Sequence, residues 1–348
     1  MSKKVITAIS GGVDSAVALS FLKEQGFEVE AVYFRFWQEK RGCFGCPEGG
    51  GCLSLPENRA GSVASSLGVP FSIIGLEKEF KKEVVDYFLK EHKRGRTPNP
   101  CVVCNKEMKF KVLFQELKKK KADFIATGHY VIKKRGKLFK AKDKQKDQSY
   151  FLWQLDQKIL EKTLFPNGDH TKEEIKKLAK GKGLPVVDVP ESQEICFIEK
   201  TLEEFLKKYL KEEPGEIVDN KGNVLGEHSG LWLYTIGQRK RIKLSGGPFY
   251  VLRKDLKRNQ LIVTKNEKDL LGGEAKAGNV NWISGHSPDF PFRATAKIRY
   301  NHKEAKAKIS KEDKGMRAEF LEPQRAITSG QSLVLYDKEE LLGGGVII

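Results

Sequence analysis

Two groups of residues in this 348-residue chain have the types and spacing of working chemistry. The first is the string Ala8-Ile9-Ser10-Gly11-Gly12-Val13-Asp14-Ser15. Adjacent glycines between an apolar run and a helical pattern permit a turn whose backbone N–H groups converge on an anion. Ser10 and Ser15 add hydroxyls, and the helix start adds the positive end of its dipole. The spacings of a Walker loop and of a dinucleotide fingerprint are both absent. The Asp14 carboxylate suits an anion site when Mg2+ bridges it to pyrophosphate; the alternative is a plain strand-to-helix turn. The second group is sulfur. Cys104 precedes a helix predicted to begin near Asn105, where the dipole would lower a thiol pKa and favour the thiolate, and Cys196 is a second thiol for it to meet. A lone cysteine is as readily a small buried apolar residue. Cys101 makes a Cys-x-x-Cys with Cys104. Cys43, Cys46 and Cys52 fall in and beside a Gly-rich stretch, and read either as metal ligands lacking a fourth partner or as an ordinary loop.

The elements that must position these residues follow from periodicity. The runs at 4–9, 29–36, 71–74 and 124–127 are β-rich and alternate with helical patterns at 15–25, 80–92 and 106–121. That alternation predicts an α/β domain with a parallel, Rossmann-like sheet over residues 1–203. After the amphipathic stretch 202–210 the pattern becomes short strands at 231–236, 249–252, 261–263, 294–299 and 332–336. These predict a small, mostly β central domain, 204–272, and a C-terminal β-barrel-like domain, 273–348, divided near Gly272-Gly273. Two or three domains suit the length, at roughly 100–200 residues each. The composition, 39% apolar, excludes disordered and collagen-like classes. No apolar run reaches the roughly 18–20 residues of a membrane span, and the N-terminus lacks a signal-peptide layout, so the expected location is cytoplasmic with no membrane partner. A formal charge of +17 favours a polyanionic partner; a Lys-rich solubilising surface is the blander reading.

At Ser10 to Ser15 the chain resembles the PP-loop ATP pyrophosphatases, whose resemblance implies ATP cleaved between the α and β phosphates, Mg2+, and adenylation of a carbonyl oxygen. Further motifs narrow the resemblance: Gly95-Arg96-Thr97-Pro98-Asn99-Pro100, Cys104-Asn105-Lys106-Glu107-Met108-Lys109-Phe110, Ala126-Thr127-Gly128-His129-Tyr130, Lys146-Asp147-Gln148-Ser149-Tyr150-Phe151 and Ile195-Cys196-Phe197-Ile198. With Gly237-Gln238-Arg239-Lys240, Arg299-Tyr300, Gly330-Gln331-Ser332 and Leu342-Gly343-Gly344-Gly345, these are similar to the tRNA-uridine 2-sulfurtransferase family along nearly the whole chain. The resemblance implies 2-thiolation of a wobble uridine of tRNA. It implies Cys196 as persulfide carrier, Cys104 as nucleophile, and an external sulfur donor such as a cysteine desulfurase or sulfur-relay protein. Ala8 to Ser15, Phe34 and Gly128 match ATP contacts. Phe34 reads either as an adenine wall or as a buried strand residue, and the missing Cβ of Gly128 would let backbone approach the nucleotide. Asn99, Pro100 and Cys101 match the segment that holds the target base, and His129, Lys146, Asp147 and Gln148 match tRNA contacts. Arg299, Tyr300 and Gln331 match anticodon-loop contacts, an Arg beside an aromatic suiting phosphate pairing and base stacking.

Cys101 stands where many members of the family have Asp. Three thiolates at Cys101, Cys104 and Cys196 resemble the ligand set of thiolation enzymes with a [4Fe-4S] cluster; a redox dithiol and a neutral substitution are the alternatives. Two other functions compete with tRNA thiolation: a PP-loop amide or guanidine ligase, which needs neither Cys104 nor Cys196, and a non-catalytic RNA-binding protein, against which the intact phosphate loop argues.

Overall fold

The structure, a computed structural model, describes residues 2–38, 55–187 and 195–348. Its N-terminal part is the expected α/β unit. Strand β1 (Lys4–Ala8) runs into helix α1 (Val13–Glu24), followed by β2 (Glu28–Arg35), α2 (Pro56–Ser66), β3 (Phe71–Gly75) and β4 (Phe124–Thr127). A hairpin of β5 (Val131–Lys134) and β6 (Lys137–Lys140) comes next, then the short strand β7 (Thr163–Leu164). Among the described residues the sheet has the order β3-β2-β1-β4-β7, all parallel. Alternation along the strands feeds two cores. Ile6, Val32 and Phe34 point to one, with Phe80, Phe88 and Trp153; Val5, Val29 and Ala31 point to the other, with Ala16 and Leu19 of α1. A parallel sheet covered on both faces is buried on both, which explains the near-continuous apolar strands.

Two long helical stretches, 77–93 and 100–119, pack on the first of these cores. Each is interrupted by π-helical turns, at Lys81–Val85 and Cys104–Phe110. The second begins at Pro100, with Asn99 as its N-cap. This corrects the helix start expected near Asn105: Asn followed by Pro at the first helical position is itself a start signal.

The rest of the chain is β, as expected. Gly215–Val218, Val224–His228, Tyr250–Asp255 and Gln260–Thr264 form a small sheet. The segment expected as a strand at 231–236 instead begins with a 3-10 turn, Leu231–Leu233, because Leu231, Trp232 and Tyr234 are all buried and so do not alternate. Among the described residues, six strands close the C-terminal barrel: Leu271–Trp282, Phe292–Lys297, Ala305–Glu312, Gly315–Arg325, Ser332–Asp337 and Glu340–Ile347. The first pairs with the last as well as with Gly315–Arg325. Gly272 and Gly273 lie inside the first barrel strand, where the register shifts, and not in a linker. Strand β6 pairs with Glu340–Ile347 (Leu138 opposite Leu341), so the N-terminal hairpin extends the barrel sheet. Among the described residues no helix is long and apolar enough to cross a membrane.

Candidate active site

Strand order reverses beside β1, where β2 lies on one side and β4 on the other, and the carboxyl ends of strands at such a point form the ligand crevice of an open α/β sheet. The Ser10–Ser15 loop leaves β1 there. Gly11 has φ +75°, and a Cβ on it would stand 2.3 Å from the Pro56 carbonyl oxygen, so glycine is required. The Ser10 N–H donates to Ser15 Oγ (3.0 Å), the Ser15 hydroxyl donates to the Gly12 carbonyl (3.0 Å), and the two hydroxyls are 3.1 Å apart. Both serines thus brace the loop. Arg59 of α2 donates Nε–H to the Gly11 carbonyl (3.0 Å).

The end of β4 closes the other side. A Cβ on Gly128 would lie 2.8 Å from the Ser15 nitrogen and 2.9 Å from the Asp14 carbonyl carbon. Its lack of a side chain therefore serves the contact between β4 and the loop, a different reason from the expected approach to nucleotide. Three residues that sequence reasoning passed over complete the site. Tyr130 Oη and Lys172 Nζ each donate to Asp14 Oδ1, both at 2.6 Å. Asn167, fully buried, donates from Nδ2 to the carbonyls of Asp14 (2.9 Å) and Gly128 (3.1 Å). The Asn-to-Lys segment before the helix Lys172–Gly181 has no motif of its own; a buried lysine among polar residues becomes visible only in three dimensions.

The three cysteines Cys101, Cys104 and Cys196 are brought into one electrostatic neighbourhood, with Lys109 beside all of them. Cys104 is buried; Cys101 and Cys196 reach solvent. Surrounding protein nonetheless desolvates each thiol, pushing Cys104 up to about 12 and Cys196 up to about 11, and raising Cys101, against a smaller opposing pull from Lys109. The expected thiolate at Cys104 is thereby reversed: the residue sits in a buried π-helical turn instead of at a dipole-favoured first turn. Among the described residues no three His, Cys, Asp or Glu side chains are grouped to hold a metal ion, and a [4Fe-4S] ligand set at Cys101, Cys104 and Cys196 is not supported. Cys43, Cys46 and Cys52 lie outside the described residues.

The remaining positions divide. His129 is half-buried, its Nδ1 paired with the Thr127 hydroxyl (2.8 Å) and its ring near Phe110; burial and Lys109 hold it well below the usual imidazole pKa. Phe34 is a buried residue within β2. Asp147 accepts from the Ala141 and Ser149 N–H groups and the Ser149 hydroxyl, and Gln148 Oε1 accepts from the Tyr130 N–H (3.0 Å); both brace the loop containing Lys146. Arg299 is half-buried and largely engaged within the protein. Its Nη2 donates to the carbonyls of Ile236 (2.9 Å) and Ala326 (3.1 Å) and to the Thr328 hydroxyl. Tyr300 packs at a tilt against Phe151, with ring centroids 4.4 Å apart and planes at 41°. Gln331 donates to the Thr97 carbonyl (2.8 Å), bringing the barrel against the Asn99-Pro100 segment. Asn99, Val103, Lys106, Trp153, Gly330 and Ser332 line a cleft of about 470 Å3 at this junction, separate from the phosphate loop.

Residues 3–200 match the family described as tRNA methyl transferase HUP domain, 203–265 a tRNA methyl transferase PRC-barrel domain, and 273–347 an aminomethyltransferase beta-barrel domain. Curated relatives match end to end. The chain is 43% identical over 357 residues to the tRNA-specific 2-thiouridylase MnmA 1 of Thermoanaerobacter sp. (strain X514), covering 99% of this chain and 98% of that one. It is 42% identical over 358 residues to the tRNA-specific 2-thiouridylase MnmA of Acetivibrio thermocellus, with 99% of each covered. It is 42% identical over 359 residues to that of Clostridioides difficile (strain 630), covering 100% of this chain and 98% of that one.

Proposed function

The chain belongs to the tRNA-specific 2-thiouridylase family, and from that membership we propose that it replaces O2 of a tRNA wobble uridine by sulfur at the expense of ATP. The observation that supports the reading is a braced phosphate loop at the sheet's switch point in the same domain as Cys196 and Cys104, which share the neighbourhood of Lys109. The loop N–H groups and the α1 dipole hold the β and γ phosphates. Uracil O2 displaces pyrophosphate from the α phosphorus, and the oxygen becomes part of an AMP leaving group. Asp14 would hold Mg2+, which when bound offsets the charge of the pyrophosphate. Positioning of the base falls to Asn99 and Pro100, beside the junction with the barrel.

Sulfur follows a persulfide route. Exposed Cys196 accepts sulfur from a donor protein, and its terminal sulfur attacks C2, displacing AMP. The Cys104 thiol then takes the Cys196 sulfur, releasing 2-thiouridine and leaving a disulfide for an external thiol to reduce. The buried position of Cys104 and the exposed one of Cys196 suit this division. The raised thiol pKa values mean that proton removal accompanies each step, with Lys109 the nearby cation that favours thiolate. The reading is tested by nucleoside mass spectrometry of tRNA incubated with the protein, ATP and a sulfur source. An ATP-dependent 2-thiouridine peak is expected; a different modified nucleoside, or none, rejects it.

A further inference from the structure

The phosphate loop contains no lysine or arginine between Ser10 and Ser15, although a bound triphosphate brings several negative charges to it. Arg59 also approaches, its Nε–H donating to the Gly11 carbonyl. Lys172 is different. It is only 6% exposed, and its ammonium meets a side-chain carboxylate, Asp14 Oδ1, at 2.6 Å. A buried ammonium is costly unless it is paired, and here Asp14 supplies an anion to it.

The surroundings fix the lysine at the loop. Its backbone N–H donates to Asp143 Oδ2 (3.0 Å). Thr171 and Glu174 form a capping box that sets the helix start at Lys172. The side chain passes the Tyr130 ring, whose hydroxyl shares the same Asp14 oxygen. Asn167 ties the Asp14 and Gly128 carbonyls together and has a second buried polar atom, Oδ1, without a hydrogen-bond partner. Helix, loop and β4 are thereby locked around one ammonium and one exchangeable carboxylate.

We propose that Lys172 is the phosphate-binding cation of this loop: it pairs with Asp14 in the empty protein and exchanges that carboxylate for a β- or γ-phosphate oxygen when ATP enters. Asp14 keeps the Tyr130 hydroxyl and is released to hold Mg2+. The charge that a Walker loop carries in its own sequence is here delivered from a distant helix. The inference rests on the ATP reading given above.

The test uses the full chain and inorganic pyrophosphate in the presence of EDTA, with binding followed by calorimetry. Lys172→Gln is expected to weaken pyrophosphate binding at least tenfold and Lys172→Arg no more than about threefold, with adenosine binding unchanged in both. Wild-type affinity for pyrophosphate in Lys172→Gln overturns the proposal. Asp14→Asn keeps the lysine and guards against a variant that does not fold. It should bind metal-free pyrophosphate several-fold more tightly than wild type, and the gain should vanish when Lys172→Gln is added. An equal gain in both backgrounds is mere loss of repulsion and overturns the exchange. Failure of the wild-type protein to bind either ATP or pyrophosphate would reject the underlying ATP reading instead.

Discussion

At the scale of single residues, the thiols set a reactivity pattern that can be read without tRNA. Cys104 is buried and its thiol is pushed up to about 12, whereas Cys101 and Cys196 are exposed with raised pKa values. Iodoacetamide at pH 8 should therefore label Cys101 and Cys196 slowly and spare Cys104, with labelling of Cys196 rising as the pH approaches 11; peptide mass spectrometry measures this. Prompt labelling of Cys104 at neutral pH would contradict its burial. Asp14→Asn should lower tRNA-dependent pyrophosphate release about a hundredfold, the scale of losing one electrostatic contact to transition-state charge, while tRNA binding stays within twofold. The Gly-Gly loop and the cysteine pair were legible in the sequence because each rests on residue type and spacing. Lys172, Tyr130 and Asn167 were not, since their role comes from contacts with Asp14 across more than a hundred positions. The protonation state of Cys104 was misread because helix position was legible only approximately and burial not at all.

Among the elements, the parallel sheet was readable from its apolar runs, and β4 was placed with its observed bounds. The hairpin β5–β6 was not recognised, although Arg135 and Gly136 both take positive φ, as a two-residue hairpin turn demands. Arg is not a residue that announces such a turn. Gly128 shows how an element junction depends on one missing atom. Gly128→Ala should cost about 1–3 kcal/mol through overpacking against Ser15 and Asp14, and should weaken ATP binding by displacing the loop. Denaturant unfolding and nucleotide titration check the two effects; a variant as stable as wild type would mean that β4 retreats freely from the loop.

Across the whole molecule, buried polar groups join the parts. His92 of the N-terminal part donates Nδ1–H to the Trp232 carbonyl (3.1 Å), and burial lowers its pKa to about 4. A folded-state value below the unfolded one of 6.5 contributes stability that is present above pH 6.5 and lost as pH falls toward 4. The loss is roughly 3 kcal/mol for a shift of this size. The urea midpoint should drop over that window in wild type and drop less in His92→Gln. Arg299→Ala removes donors to Ile236, Ala326 and Thr328. It should cost about 2–4 kcal/mol, on the scale of lost hydrogen bonds to a charged group, and leave the salt dependence of tRNA binding unchanged; a shallower salt slope would return Arg299 to the phosphates.

Because β6 pairs with Glu340–Ile347, the last strand of the chain and a hairpin near residue 140 are edges of one another. Cutting the chain before the barrel would expose the β6 edge together with the Ser332 partners of Tyr150 and Trp153, two of the larger fully buried side chains. An open strand edge beside uncovered aromatics is a template for self-association. The N-terminal α/β half is accordingly expected to precipitate when expressed alone and to be recovered when the barrel is supplied as a second chain, so that shortening this enzyme from its C-terminal end is expected to cost solubility first.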